Sequence, residues 1–306
     1  MRQSRPRQAK AVPETPEQGT EAAAGPMRIA KAIARAGICS RRDAERMIEE
    51  GRVSVDGRVL KSPALNVTGR EDIVVDGKPL PAPEGVRLWR FHKPKGRVTT
   101  HKDPEGRPTV FESLPEEMPR VISIGRLDYN SEGLLLLTND GALARHLELP
   151  ATGWLRRYRA RAWGKVTPEQ LESLAQGVTV EGVTYEPIEA RLDREQGDNV
   201  WLTMALREGK NREVRKVLGS LGLEVNRLIR ISFGPFQLTD LQPGAVAEVD
   251  RRVLRDQMGP RMAEIFGLAG RPPEPKVAAK GKAPQKPATR LGAKPKAQSG
   301  RPPRRS

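Results

Sequence analysis

Asp128 lies in GRLDYNSEGLLLLTNDG, residues 125–141, a polar, turn-rich stretch that runs straight into four leucines, with Arg126 two positions before it. A carboxylate at the mouth of a buried strand has two readings. As a turn residue it tolerates tight geometry and caps backbone N–H groups. As a chemical group, held ionised in a dry pocket, it is a nucleophile or a base. Burial drives a carboxylate to take up a proton, and a guanidinium within about 4–6 Å opposes that. The chemical reading therefore requires a cation brought in from elsewhere in the chain.

Other chemistries find no support in the residues. The histidines (His92, His101, His146) and the lone Cys39 are too few and too widely spaced for a zinc site. No GxxxxGK[ST] loop occurs and no strand leads into GxGxxG, so neither a nucleoside triphosphate nor a dinucleotide is expected. No metal and no cofactor are expected, and any reaction must be run by side chains. A single cysteine points to a reducing compartment. With no apolar run of about 18 residues, the expectation is a cytoplasmic protein with no membrane partner and no symmetric interface, hence a monomer.

These residues have to be held by folded elements, and the apolar content is unevenly distributed for that purpose. Of 306 residues with a formal charge of +16, the segment 271–306 holds eleven Lys or Arg against one Glu, with eight Pro. It cannot bury enough surface to offset its entropy and is expected to be disordered. As a polycation it suits phosphate backbones. Residues 1–26 read as unstructured too. Between them, 27–85 reads as two short helices and paired hairpins. Ser40 opens a capping signature with Asp43 three positions on, Gly51 stops the second helix, and Asp56-Gly57 and Asp76-Gly77 mark tight turns. Arg41 and Arg42 sit in a helix first turn, where the dipole disfavours cations, which points to an anionic ligand or to a plain solvated face. Pro79, Pro81 and Pro83 form a linker.

Residues 86–260 read as an α+β domain with a large mixed, mainly antiparallel sheet. LWRFHKPKG, VISIGRLD, GLLLLTND, WLRRYRARAWGKV and NVWLTMALREG read as strands, with DYNSE as a loop. TPEQLESLAQG is a helix capped by Thr167 with Gln170 three residues on, and NREVRKVLGSLG is a helix that Asn211 can cap. The lengths do not repeat as regular βαβ units.

Two resemblances add to this. ARAGICSRRDAERMIEEGRVSVDG resembles the S4-like RNA-binding domain, which implies that Ser40, Arg41, Arg42 and Arg52 lie at a structured-RNA surface. GRLDYNSEGLLLLTNDG, HKPKG, RRYRARAWG and EGKNREVRKVLGSLG, in their order and spacing, resemble the motifs of the RsuA/RluB family of ribosomal-RNA pseudouridine synthases. The likeness spans roughly 27–260. It implies that Asp128 is the catalytic residue, through attack on the sugar or support of an elimination there. It makes Arg215 its ionic partner and Tyr158 the ring that stacks on the extracted base and can accept a proton. Val214 would wall the uracil pocket. Arg126 is a candidate for the phosphate or for the space the base vacates, and Lys93 and Lys95 for RNA contact.

GKNREVRK, Asn130 and the basic tail resemble the RluB type, implying 23S rRNA or the assembling large subunit as partner. Ser131-Glu132, read as part of the loop, depart from the pattern and keep a 16S target open. A non-catalytic assembly factor of the same fold, and a methyltransferase with an S4-like domain, are the competing classes. The intact Asp128, Tyr158 and Arg215 set opposes the first, and the missing glycine-rich loop opposes the second.

Overall fold

The structure, a computed structural model, describes residues 25–270. The tail at 271–306 and nearly all of 1–26 lie outside the described residues. The N-terminal module runs β1 (Met27–Arg28), α1 (Ile29–Arg35), α2 (Arg41–Glu49), β2 (Val53–Val55), β3 (Arg58–Val59), β4 (Asn66–Val67), β5 (Ile73–Val75) and β6 (Lys78–Pro79). It has its own core, in which Ile29, Ile33, Ala44, Ile48 and Val53 pack together. The hairpin turns are made by Asp56-Gly57 and Asp76-Gly77, all four with positive φ, the geometry that lets a two-residue loop follow strand twist. Ser40 caps α2, accepting from the Asp43 N–H at 3.1 Å.

The larger domain contains β7 (Leu88–Lys93), β8 (Ile122–Ile124), β9 (Ser131–Thr138), α3 (Gly141–Glu148), β10 (Arg156–Trp163), α4 (Pro168–Ser173), β11 (Val178–Val180), β12 (Val183–Tyr185), β13 (Glu189–Gln196), β14 (Asn199–Leu206), α5 (Glu213–Ser220), β15 (Glu224–Phe233), β16 (Phe236–Gln237), β17 (Val246–Glu248) and α6 (Arg251–Ile265). The main sheet runs β13-β14-β10-β15-β9-β7-β17, with β8 on β9 and β16 on β15. Only β9 and β15 pair in parallel; the other pairings are antiparallel. The mixed, mainly antiparallel sheet read from the sequence is what forms.

β9 explains the four leucines. Leu135 and Leu137 enter the core shared with Tyr158, α4 and α5, while Leu134 and Leu136 enter the core under α3 and α6. A strand buried on both faces reads as a continuous apolar run rather than an alternating one. Ser131 and Glu132, read from the sequence as loop, are already the first residues of this strand.

At its far end β9 gives way to Asp140, which caps α3. One carboxylate oxygen accepts from the Ala142 and Leu143 N–H groups at 2.7 and 3.0 Å. The other faces Arg35 of the N-terminal module at 3.4 Å. Asp140→Ala is expected to lower the unfolding free energy by about 1–2 kcal/mol. Asp140→Asn, which keeps the cap and loses only the ion pair, should cost less; urea denaturation of both variants checks the order.

Candidate active site

Asp128 is a turn residue: its carbonyl accepts the Ser131 N–H at 3.0 Å, closing the turn between β8 and β9. The surrounding backbone is pinned from three directions. Thr99 Oγ1 donates to the Leu127 carbonyl at 2.9 Å and accepts the Leu127 N–H at 3.3 Å. Gly96 N–H donates to the Tyr129 carbonyl at 2.9 Å. Arg215 donates to the Asn130 carbonyl at 3.3 Å. The Asp128 side chain stays 36% exposed, and the partner found for it is the Arg212 guanidinium, 3.8 Å away. A loop fixed by its backbone leaves this carboxylate free for a ligand.

Lys93 corrects an expectation. Placed by the sequence on an RNA-contacting turn, it is fully buried at the end of β7 and cannot reach a phosphate. Its ammonium donates to the carbonyls of Ser131 (2.9 Å), Pro94 (3.1 Å) and Tyr129 (3.4 Å), directly behind the Asp128 turn. Burial pushes its pKa down to about 8, against the pull of Asp128 and Glu132. Strand parity was the overlooked signal, since Trp89, Phe91 and Lys93 share one face.

Helix α5 delivers the basic residues. Asn211 does not cap it: the capping position is Arg212, in left-handed conformation at φ 51° with no side-chain cap. That kink aims Arg212 at Asp128. Arg215, the partner implied by the resemblance, is half-buried one turn on, donating to the Val225 carbonyl at 2.7 Å besides Asn130. Desolvation and then Arg212 lower its pKa, and the charge of Asp128 opposes them. Val214 is buried in the same core as Leu127 and Tyr158.

Tyr158 projects from β10 into that core and is 9% exposed. The register places it opposite Arg230 of β15, which in turn pairs with Gly133 of β9, two residues into the strand that follows the Asp128 turn. Asp128, Tyr158, Val214 and Arg215 thus come from three distant segments to one end of the sheet.

Beneath them lies a polar cluster that was not singled out from the sequence. Arg156 is buried and donates to the carbonyls of Trp154, Arg207 and Glu208, bracing the loop that leads to α5. Glu213, 3% exposed, accepts from the Lys210 N–H at 2.8 Å through one oxygen, while the other has no partner among the described residues. Burial pushes its pKa up to about 6. A carboxyl raised in the folded state contributes stability below the ordinary pKa near 4.5 and loses it as pH rises through about 6. Glu213→Gln is therefore expected to flatten the fall in melting temperature between those two values, as measured by thermal unfolding across pH.

The expected RNA-facing residues divide. Arg42 and Arg126 are exposed. Arg41 is exposed too, with its guanidinium close to Gly141 of the larger domain. Ser40 is engaged as the α2 cap and donates to Asp43 at 2.6 Å. Arg52 is forked onto Asp76 at 2.7 Å and paired with Glu50 at 3.0 Å, so its charge is locally neutralised.

Residues 87–220 match the family described as RNA pseudouridylate synthase, and residues 27–74 match the S4 domain. An "Uncharacterized RNA pseudouridine synthase" of Rickettsia felis is 49% identical over 227 residues, covering 74% of this chain and 98% of that protein. The chain belongs to the RNA pseudouridine synthase family. The synthase is also 40% identical over 252 residues to the "Ribosomal large subunit pseudouridine synthase B" of Pseudomonas aeruginosa, covering 79% of this chain and 65% of that one. A solved structure described as that of a pseudouridylate synthase, 23% identical with a TM-score of 0.54, shares the fold over 76% of this chain and 99% of its own. With an S4 domain ahead of the catalytic domain, the synthase is of the RsuA/RluB type. The synthase has one further aromatic at the site, Tyr129, 42% exposed beside Asp128. Its position after GRLD was the available signal.

Proposed function

We propose that this enzyme converts a uridine of 23S ribosomal RNA to pseudouridine, with Asp128 acting at the sugar. The observation that carries the reading is the Asp128 turn: its backbone is held by Thr99, Gly96, Lys93 and Arg215, while its carboxylate, beside the Arg212 guanidinium, stays exposed. The choice of the large subunit is supported by relatives named "Ribosomal large subunit pseudouridine synthase B" in Pseudomonas aeruginosa and Yersinia pestis.

The reaction breaks the bond between the ribose and the uracil ring nitrogen, turns the base, and rejoins it through a ring carbon. That carbon loses a proton and the released nitrogen gains one, so no atom is added and nothing is oxidised. The uridine first has to leave its stack, at a cost of about a few kcal/mol. Tyr158 offers a ring to receive the base and a hydroxyl to accept the proton, with Val214 as the apolar wall. Arg212 pairs with the Asp128 carboxylate and Arg215 holds the turn behind it through the Asn130 carbonyl, while Arg126, exposed before the turn, faces the RNA backbone. Arg41 and Arg42 of the S4 domain hold structured RNA, and the enzyme works as a monomer on free rRNA or on the assembling subunit.

The test is chemical mapping of pseudouridine in ribosomal RNA from cells lacking the gene, complemented with wild type or Asp128→Asn. A 23S position should lose its signal, regain it with wild type and not with Asp128→Asn. Loss at a 16S position instead would move the target to the small subunit. Restoration by Asp128→Asn would remove Asp128 from the chemistry.

A further inference from the structure

Alternation along β10 places Tyr158, Ala160 and Ala162 in the core and leaves Arg157, Arg159 and Arg161 on the opposite face, ending in Trp163, which is 55% exposed. The adjoining strands extend this face. Arg191 of β13 and Thr203 of β14 lie in register with Arg159, and Arg194 and Trp201 with Arg161. The Trp201 indole carries two guanidiniums over its ring, Arg159 at 4.7 Å and Arg194 at 5.7 Å. A shallow depression of about 500 Å³ opens between Arg159, Arg191, Asp193 and Thr203.

Glu189 and Glu224 also lie in register on this face, beside Arg157 and Trp163, but the arginines still outnumber the acids. Asp193 is shared by Arg159 (3.9 Å) and Arg191 (3.1 Å). Among the described residues, Arg157, Arg161 and Arg194 have no ion pair. Two N–H donors here, Arg161 Nε and Trp201 Nε1, also have no acceptor. Both of these atoms are buried, so the groups open to an anion are the unpaired guanidiniums themselves. Outward side chains stand about 7 Å apart along a strand and about 5 Å apart across strands, so the face offers a lattice of charge to a polyanion.

We infer that the open face of β13, β14 and β10 is a second RNA-docking surface, taking the phosphate backbone of the substrate RNA away from the modified uridine. Guanidiniums stacked on an indole are held flat and pre-oriented for phosphate oxygens, and the exposed Trp163 offers a stacking platform for an unpaired base. Contacts to phosphate add affinity without adding sequence choice. The inference rests on the RNA-modifying activity of the family, and it extends the grip on RNA beyond the S4 module and the Asp128 cleft.

The test uses the full chain and an unmodified 23S rRNA transcript, with binding followed across salt and pseudouridine formation followed in a single turnover. Arg157→Gln combined with Arg161→Gln is expected to weaken binding about ten-fold near 0.15 M salt. The slope of log affinity against log salt should fall by about 1.4–1.8, the contribution of two phosphates. The rate at saturating RNA should be unchanged, and the double Lys variant should retain most of the affinity. Asp128→Asn should do the reverse, keeping the affinity and losing the reaction. If wild type fails to modify the free transcript, the substrate is the assembling subunit or another RNA, which the mapping in cells decides, and the salt slopes still report on the face. A Gln double variant with wild-type affinity and slope overturns the inference. Ultraviolet cross-linking of the wild-type complex serves where the variants fold poorly. Peptides from 157–163 joined to RNA support the surface, and cross-links confined to the S4 module and the Asp128 cleft overturn it.

Discussion

Gly133→Ala is expected to abolish the native state of the catalytic domain. Gly133 has φ +101°, a backbone conformation that L side chains rarely adopt, and a Cβ there would stand 2.7 Å from the Arg230 nitrogen and closer still to its carbonyl oxygen. Both are backbone atoms of β15, paired to Gly133 by the parallel register. Neither can yield without opening the pairing that joins the two halves of the sheet. Arg230 is tied to the same place, buried, with its Nε donating to the Leu134 carbonyl at 2.7 Å. A loss of more than about 4 kcal/mol, or no soluble protein, is the expected outcome. Gly141→Ala is the control: its nearest neighbours would be 3.8 Å away, and it opens a helix, where alanine is favoured. Urea denaturation should find the Gly141 variant at or slightly above wild-type stability. A Gly133 variant with a wild-type midpoint would mean that β9 and β15 do not approach so closely.

The second large effect is expected at Lys93. Its ammonium holds the Ser131, Tyr129 and Pro94 carbonyls, two of them in or beside the Asp128 turn. Lys93→Met leaves buried carbonyls without a donor, and hydrogen bonds to charged groups are worth about 1.5–3 kcal/mol. Turnover should fall by about ten- to a hundred-fold, with RNA affinity little changed because the side chain does not reach the surface. The same group predicts a pH limb. With its pKa held down to about 8 by burial, wild-type turnover should decline as pH rises through that value, and the decline should be missing from the Met variant. Stability runs the other way. The folded protein releases this proton at about 8 and the unfolded chain at the ordinary 10.5, so the burial penalty is fully present below 8 and relieved on rising towards 10.5. Opposite slopes for rate and stability in one window separate Lys93 from general alkaline unfolding. A Met variant with undiminished turnover would reduce Lys93 to packing.

The parts of this molecule written in local patterns were legible in the chain. Ser40 with Asp43, Thr167 with Gln170, and the Asp-Gly turns act over three or four residues, and each forms as read. The uninterrupted leucines identified a strand buried on both faces. What escaped depends on pairings between distant segments. Nothing near Gly133 says that Arg230 will cross it, and nothing in NREVRK says that Arg212 rather than Asn211 begins the helix and meets Asp128. Nothing in the chain marked Glu213 for burial, which comes with the turn at Lys210 and the neighbouring Arg156. Lys93 was misread because a lysine before Pro-Lys-Gly has the composition of a surface turn, and composition outweighed parity.

The path from Asp128 to Asp140 has a mechanical meaning. The Asp128 turn stands at one end of β9, and at the other end Asp140 meets Arg35 of the S4 module. Eight residues of extended chain span about 25 Å, and packing on both faces holds the strand in place. On the reading proposed above, it acts as a measuring rod between the S4 module that holds RNA and the carboxylate that acts at the sugar. Inserting one residue would turn every leucine to the wrong face, so this length cannot be adjusted in small steps. On that reading, the distance along a folded RNA from its S4-bound segment to the modified uridine becomes a built-in dimension of the enzyme.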